Sequence, residues 1–388
     1  MKTKTTGNHS DSTKYRVGHI AAIDNFRGLC ILAMIVVHAT AWFGLLGSKF
    51  GYYVHNTPHC GGPGFIMVIG VMVGFHYLPR LTSLEIVRKT EKRLLQRAAK
   101  ILLYTYAFSI AFYLVFREPS GYKECVPEPH IRLQSILDLL IFQKVNHRTA
   151  ILILISFLLL VSVLMVIFRR IARYWVVTVG LGLLVYAAFL LTYDRVGLSD
   201  TPIVRLPVFL GLKWEFPFLP WASFFFYGVG MGTLLYKFAS SGRLVAYAFR
   251  LIILGLVVFA AWVVYAVIMY NEVGEYTFPR LLARPPSVYY SLHTLALCFL
   301  LIGLFMLLEY RKIRIPGEHL LSVFGKYSLF CFIYHWCVLH VVYLAMKKFA
   351  APVGVRWAAL VGLILFVYIS AIVQAKFFER RKAAKRRV

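Results

Sequence analysis

Acidic residues are scarce in this chain: 16 Asp and Glu stand against 43 Lys and Arg in 388 residues, and only 15% of positions are charged while 60% are hydrophobic. Soluble domains carry roughly a quarter charged residues, so a soluble globular fold is excluded. The composition, with a mean hydropathy of +0.71, predicts an all-α polytopic membrane protein. A formal net charge of +27 would suggest nucleic acid as a partner in a soluble protein. In a membrane protein it is expected instead in cytoplasmic loops and against anionic headgroups, so membrane lipids are the predicted partners and nucleic acid is not.

Other absences narrow the chemistry. The six cysteines form no CxxC and no Cys/His spacing that builds a zinc site, so no metal is expected. Cys30, Cys298, Cys331 and Cys337 lie in apolar runs and read as packing residues. Cys60 and Cys125 fall in connections assigned to one side, and a disulfide between them stays open. There is no GxSxG elbow, no HExxH and no intramembrane carboxylate pair, which argues against a serine or zinc protease. GxGxxG and P-loop patterns are missing, as are fixed-period repeats and low-complexity tracts. The first 17 residues are polar and basic with no apolar core before a cleavage site, so the first span is expected to target the chain itself.

What is present is a series of apolar runs near the roughly 20 residues needed to cross hydrocarbon. About ten transmembrane helices are predicted: 26–46, 61–79, 98–116, 150–168, 174–193, 218–237, 247–270, 288–308, 321–346 and 354–376. With this count both termini share a side. That side holds roughly twice as many Lys and Arg as the other, which makes both termini cytoplasmic. Residues 1–22 then form a polar basic tail, 23–376 a single transmembrane domain, and 377–388 a basic cytoplasmic tail suited to headgroups. Residues 131–142 are apolar but too short to span, and read as an interfacial or re-entrant helix in an external loop.

The stretch IDNFRGLCILAMIVVH, residues 23–38, is an odd lipid-facing helix. Asp24, Arg27, Ile31, Met34 and His38 follow helical spacing and share one stripe. Ionisable groups within a span are costly, so each is a candidate for function. Asp24 and Arg27 fit either a catalytic role or an i, i+3 ion pair that also suits a helix start. His38 lies about 16 Å further along the helix. It fits either a histidine bonded to a neighbouring helix or a general base, for which neutral imidazole is well matched near pH 7.

His55 and His59 flank the external mouth of the first two spans, just before the helix-breaking CGGPG. Arg93, Arg97 and Lys100 fall on one face of the helix leading into the third span. They fit a positive-inside stop signal or a grip on donor phosphates. Glu215 opens WEFPFLPWASFFFYGVGMG, whose glycines permit close helix packing. His335 shares a face with Ser328 and Phe332 in GKYSLFCFIYHWCVLH. Glu215, His55 and His335 are the candidate substrate contacts.

Taken together, IDNFRGLCILAMIVVH, GPGFIMVIG, KRLLQRAAKIL, FPFLPWASFFFYGVGMG and FGKYSLFCFIYHW resemble, in order, the catalytic domain of the heparan-alpha-glucosaminide N-acetyltransferase family within the wider set of multispan acyltransferases. The resemblance implies a membrane enzyme that takes acetyl-CoA, or another acyl-CoA, from the cytosol. It passes the acyl group to an amine or hydroxyl of a sugar or glycan on the external side. By similarity the external histidine falls on His59 or His55, and His38 matches the first-helix histidine of related O-acyltransferases. The chain departs from the heparan enzyme in its shorter connection after that histidine. Its phosphate motif also runs from Arg97 to Lys100 in place of RxxR. The expected setting is a prokaryotic cytoplasmic (inner) membrane, and a homodimer is compatible with the sequence. The rival class is a transporter or lipid carrier with histidine proton relays, for which inverted repeats are not evident.

Overall fold

The computed structural model describes residues 20–56, 60–116, 148–196, 218–273 and 287–385. Among these residues there is no strand, and each of the ten predicted runs falls on helix. Among the described residues eight helical stretches are long and apolar enough to cross a membrane. The protein is an all-α polytopic membrane protein.

The helices are α1 (Ala21–Trp42), α2 (Lys49–Asn56), α3 (Gly61–Met72), α4 (Leu84–Phe116), α5 (Ala150–Ile167), α6 (Trp175–Val196), α7 (Phe218–Ser240), α8 (Leu244–Val273), α9 (Val288–Tyr310), α10 (Glu318–Lys326), α11 (Ser328–Lys348) and α12 (Val353–Lys385). The predicted external loop 47–60 holds a short helix of its own, α2, bounded by Gly44 in the left-handed region (φ 67°) at the end of α1. The predicted second span is α helix only to Met72. It then widens into a π-helical turn, Val73–Tyr77, and tightens into a 3-10 turn at Leu78–Arg80 around Pro79. The predicted ninth span divides at Tyr327 into α10 and α11. α12 runs on past the start of the predicted C-terminal tail, without a break to Lys385. The predicted interfacial segment 131–142 lies outside the described residues.

α1 is the hub of the bundle, packing against α2, α3, α9, α10, α11 and α12. Two contacts of backbone on backbone set its depth. A Cβ on Gly28 would collide with the Leu321 carbonyl of α10, and a Cβ on Gly325 with the Asp24 carbonyl of α1. Reciprocal glycines let two helices touch without intervening side chains, the usual way to gain packing where lipid supplies no hydrophobic drive. The same device joins α3 to α7, where Gly70 abuts the Phe225 carbonyl and Gly228 abuts the Met67 carbonyl. The glycine-rich strings of the second and sixth spans are therefore one interface.

Both ends of α1 are satisfied from outside the helix. Its N-terminal amides at Ala21 and Ala22 donate to the two carboxylate oxygens of Glu309 on α9, at 2.9 and 2.7 Å. At the other end Arg356 of α12 donates to the carbonyl of Phe43, at 3.3 Å. An anion at the start and a cation at the finish match the helix dipole. Glu309→Ala is expected to lower stability by about 1 kcal/mol, seen as a lower thermal midpoint in detergent.

Cys60 is a free, buried thiol, and Cys125 lies outside the described residues. Cys30 packs against it, its thiol 3.9 Å from the Cys60 carbonyl.

Candidate active site

The last turn and a half of α1 brings two imidazoles together. His38 Nδ1 is 3.1 Å from His335 Nε2 on α11, and the two rings lie within 3° of parallel. The second nitrogen of His335, Nδ1, is 3.1 Å from the carbonyl of Cys331, one turn earlier on α11. A carbonyl oxygen only accepts, so His335 carries its proton on Nδ1 and presents a lone pair at Nε2. His38 must then donate from Nδ1, since two lone pairs cannot share that bond. The basic lone pair of the neutral pair thus resides on His38 Nε2. His335 is fully buried, whereas His38 is only partly so. Of the two rings, His38 is the one with exposed surface. Trp336 packs its indole 4.2 Å from the His38 ring and completes the setting.

α2 latches onto the same turn. His55 Nδ1 lies 3.1 Å from the Val37 carbonyl and 3.0 Å from the Thr40 hydroxyl. Thr40 itself donates back to the Val36 carbonyl at 2.8 Å. His55 therefore braces α1 on either side of His38, through the Val37 backbone and the Thr40 side chain. His59 and Glu215 lie outside the described residues.

Asp24 and Arg27 sit at the opposite end of α1. The Arg27 guanidinium pairs with Asp24 at 2.5 Å and donates from Nε to the Gly325 carbonyl at 2.7 Å. It thereby ties α1 to the end of α10, and the structure does not bring it to His38. Arg93, Arg97 and Lys100 are exposed on α4, at the spacing expected of one face. Arg97 is close enough to Arg27 for the two charges to be felt. Its Nη1 donates to the Tyr77 hydroxyl at 2.6 Å, and Tyr77 is the last residue of the π-helical turn. Of the predicted residues, then, His38, His335 and His55 converge at one end, and Arg27, Asp24 and Arg97 gather at the other. Among the described residues no group of three or more His, Cys, Asp or Glu side chains is arranged to hold a metal.

Sequence reasoning missed Trp336, Tyr77, Glu309 and Arg356. Trp336 had a signal, because an aromatic following His335 in the string YHW stands beside whatever that histidine touches.

A bundle of membrane-crossing helices with a hydrogen-bonded imidazole pair at one end of its central helix defines a polytopic membrane protein. The family model described as an acyltransferase domain matches residues 20–375, nearly the whole chain. The chain belongs to that family, and the protein is a membrane acyltransferase. No curated protein and no solved structure matches it.

Proposed function

We propose that the protein moves an acetyl or other short acyl group from cytosolic acyl-CoA to an amine or hydroxyl of a sugar or glycan on the external side, with His38 as general base. The observation that carries this reading is the hydrogen bond between His38 and His335, with the lone pair left on His38 Nε2. Both termini are cytoplasmic in this reading, which puts Arg27 and Arg97 at the donor's entrance and His38 toward the acceptor.

The chemistry follows from those positions. The acceptor's N–H or O–H gives its proton to His38 Nε2 as the heteroatom attacks the thioester carbon. Collapse of the tetrahedral species breaks the carbon–sulfur bond, and the departing thiolate takes the proton from the imidazolium. His335 holds His38 in the tautomer that makes this direction of transfer available. Arg93, Arg97 and Lys100 contact the donor phosphates, since guanidinium pairs bidentately with phosphate oxygens. Tyr77 fixes the Arg97 side chain for that contact. His59 is the alternative base.

The test is acetyl-CoA binding and thiol release with sugar acceptors, measured on purified protein in detergent for wild type, His38→Ala and His59→Ala. Release that depends on the acceptor and is lost in His38→Ala alone supports the assignment. Wild type that binds no donor sinks it. For the donor end, Arg93→Ala combined with Arg97→Ala is expected to raise the KM for acyl-CoA about tenfold, the loss of roughly 1.4 kcal/mol of charge-assisted pairing. The KM for the acceptor should stay within twofold, and an equal rise in both constants counts against a donor role.

A further inference from the structure

The π-helical turn at the end of α3 aims one side chain. α7 pins the inner side of that turn, since a Cβ on Gly74 would meet the Val229 carbonyl and one on Gly232 would meet the Val71 carbonyl and the Phe75 amide. Val73, Gly74 and Phe75 are buried there. A π turn takes up one residue more than an α turn, which swings whatever follows by about 100° round the helix axis. Tyr77 is the last residue of the turn, and the 3-10 turn around Pro79 ends the helix just beyond. The swing brings the Tyr77 hydroxyl to α4, 2.6 Å from Nη1 of Arg97.

Both groups keep hydrogen-bonding capacity unused. Arg97 is exposed and Tyr77 half-buried, and among the described residues this is the one hydrogen bond that either side chain makes. A guanidinium only donates, so the Tyr77 oxygen accepts from Arg97 and the hydroxyl hydrogen has to turn elsewhere. Nε and Nη2 of Arg97 are likewise left over. Arg97 has no carboxylate partner among the described residues, and the charge that it shares space with is a second cation, Arg27.

The hydroxyl hydrogen and the free N–H bonds thus issue from one place. A hydroxyl that already accepts from a cation is polarised and donates more strongly. One O–H beside a planar fork of N–H bonds suits a phosphate, which offers several acceptor oxygens at once. Arg93 and Lys100, exposed on the same face of α4, add charge around that point.

We propose that Tyr77 is itself a binding residue for the donor: its hydroxyl donates to a phosphate oxygen of acyl-CoA, while Arg97, held by that same hydroxyl, takes a second oxygen of the phosphate. This rests on the acyl-transfer reading above and adds to it a neutral ligand from the second span.

The experiment compares acetyl-CoA with acetyl-pantetheine, the same thioester without phosphates, as donors to one sugar acceptor, using full-length protein in a detergent that carries no phosphate. Tyr77→Phe, which keeps the ring and its packing, is expected to raise the KM for acetyl-CoA about tenfold, the loss of one hydrogen bond to a charged group. Its kcat and its KM for acetyl-pantetheine should stay within about twofold of wild type. Where acetyl-pantetheine turns over too slowly for a KM, its inhibition constant against acetyl-CoA is read in its place. In an Arg97→Ala background Tyr77→Phe should raise the KM for acetyl-CoA again, by about threefold or more. No further rise there means that the hydroxyl only holds Arg97 in place, which overturns the proposal. An unchanged KM for acetyl-CoA in Tyr77→Phe also overturns it and leaves the pair to a lipid phosphate. An equal loss for both donors overturns it as well, since a displaced helix would weaken them alike. Should wild type bind no acetyl-CoA, the acyl-transfer reading fails and takes this proposal with it.

Discussion

His38→Gln is expected to lower kcat for acyl transfer by about 10²- to 10⁴-fold, the range lost when a positioned base is removed, while acetyl-CoA still binds. Glutamine keeps a donor for the His335 lone pair and so preserves the contact between α1 and α11. What it removes is the basic nitrogen. His335→Ala should also lower kcat, because the His38 ring then loses the acceptor that holds its proton on Nδ1. The two losses should not add: a His38→Gln, His335→Ala double variant is expected to be no slower than His38→Gln alone, since the residues act as a unit. Stopped turnovers and equilibrium donor binding, taken on the same preparations, decide the matter. A His38→Gln enzyme with wild-type kcat would move the base to another residue, and His59→Ala is the first to try.

Gly28→Leu is expected to prevent assembly of the folded protein, a loss well beyond the roughly 1 to 3 kcal/mol of ordinary overpacking. The reason is what the new side chain would strike. At most core positions a larger residue displaces another side chain, which has rotamers to spare. At Gly28 the obstacle is the Leu321 carbonyl, and α10 is held from the other direction by Gly325 against the Asp24 carbonyl. Neither backbone can yield without pulling α10 off α1, and the Arg27 bond to the Gly325 carbonyl goes with it. Size-exclusion profiles and thermal midpoints in detergent read the outcome. Gly180→Leu is the control, because nothing lies within 4 Å of a Cβ there and the position is exposed. A monodisperse Gly28→Leu protein with an unchanged midpoint would show that these backbones do not rely on contact.

The parts of the fold that were legible in the sequence are those governed by hydropathy. Runs of apolar residues bounded by charge located helices at all ten predicted positions, and GVGMG announced the close packing of α7. Breaks within helices were not legible. The π-helical turn at Val73–Tyr77 lies inside the predicted second span, and the division at Tyr327 falls on GKYS, a polar string too short to end a predicted run. The stripe on α1 was read correctly as to face, but a stripe gives no partner. The i, i+3 spacing of Asp24 and Arg27 announced their pair because both members lie on one helix. The bond between His38 and His335 spans 297 positions, and only the packing of α1 on α11 brings it about.

The external caps on α1 bear on how substrates reach each other. Glu309 holds its first amides, Arg27 is moored to α10, His38 to α11 and Arg356 to its last carbonyls. A piston stroke of this helix along its own axis would have to break attachments to four neighbours at once, at both faces of the membrane. α1 is therefore a stationary rail, and in the acyl-transfer reading proposed above traffic across the membrane falls to the cargo: the flexible arm of the donor slides, and the helix beside it stays where it is.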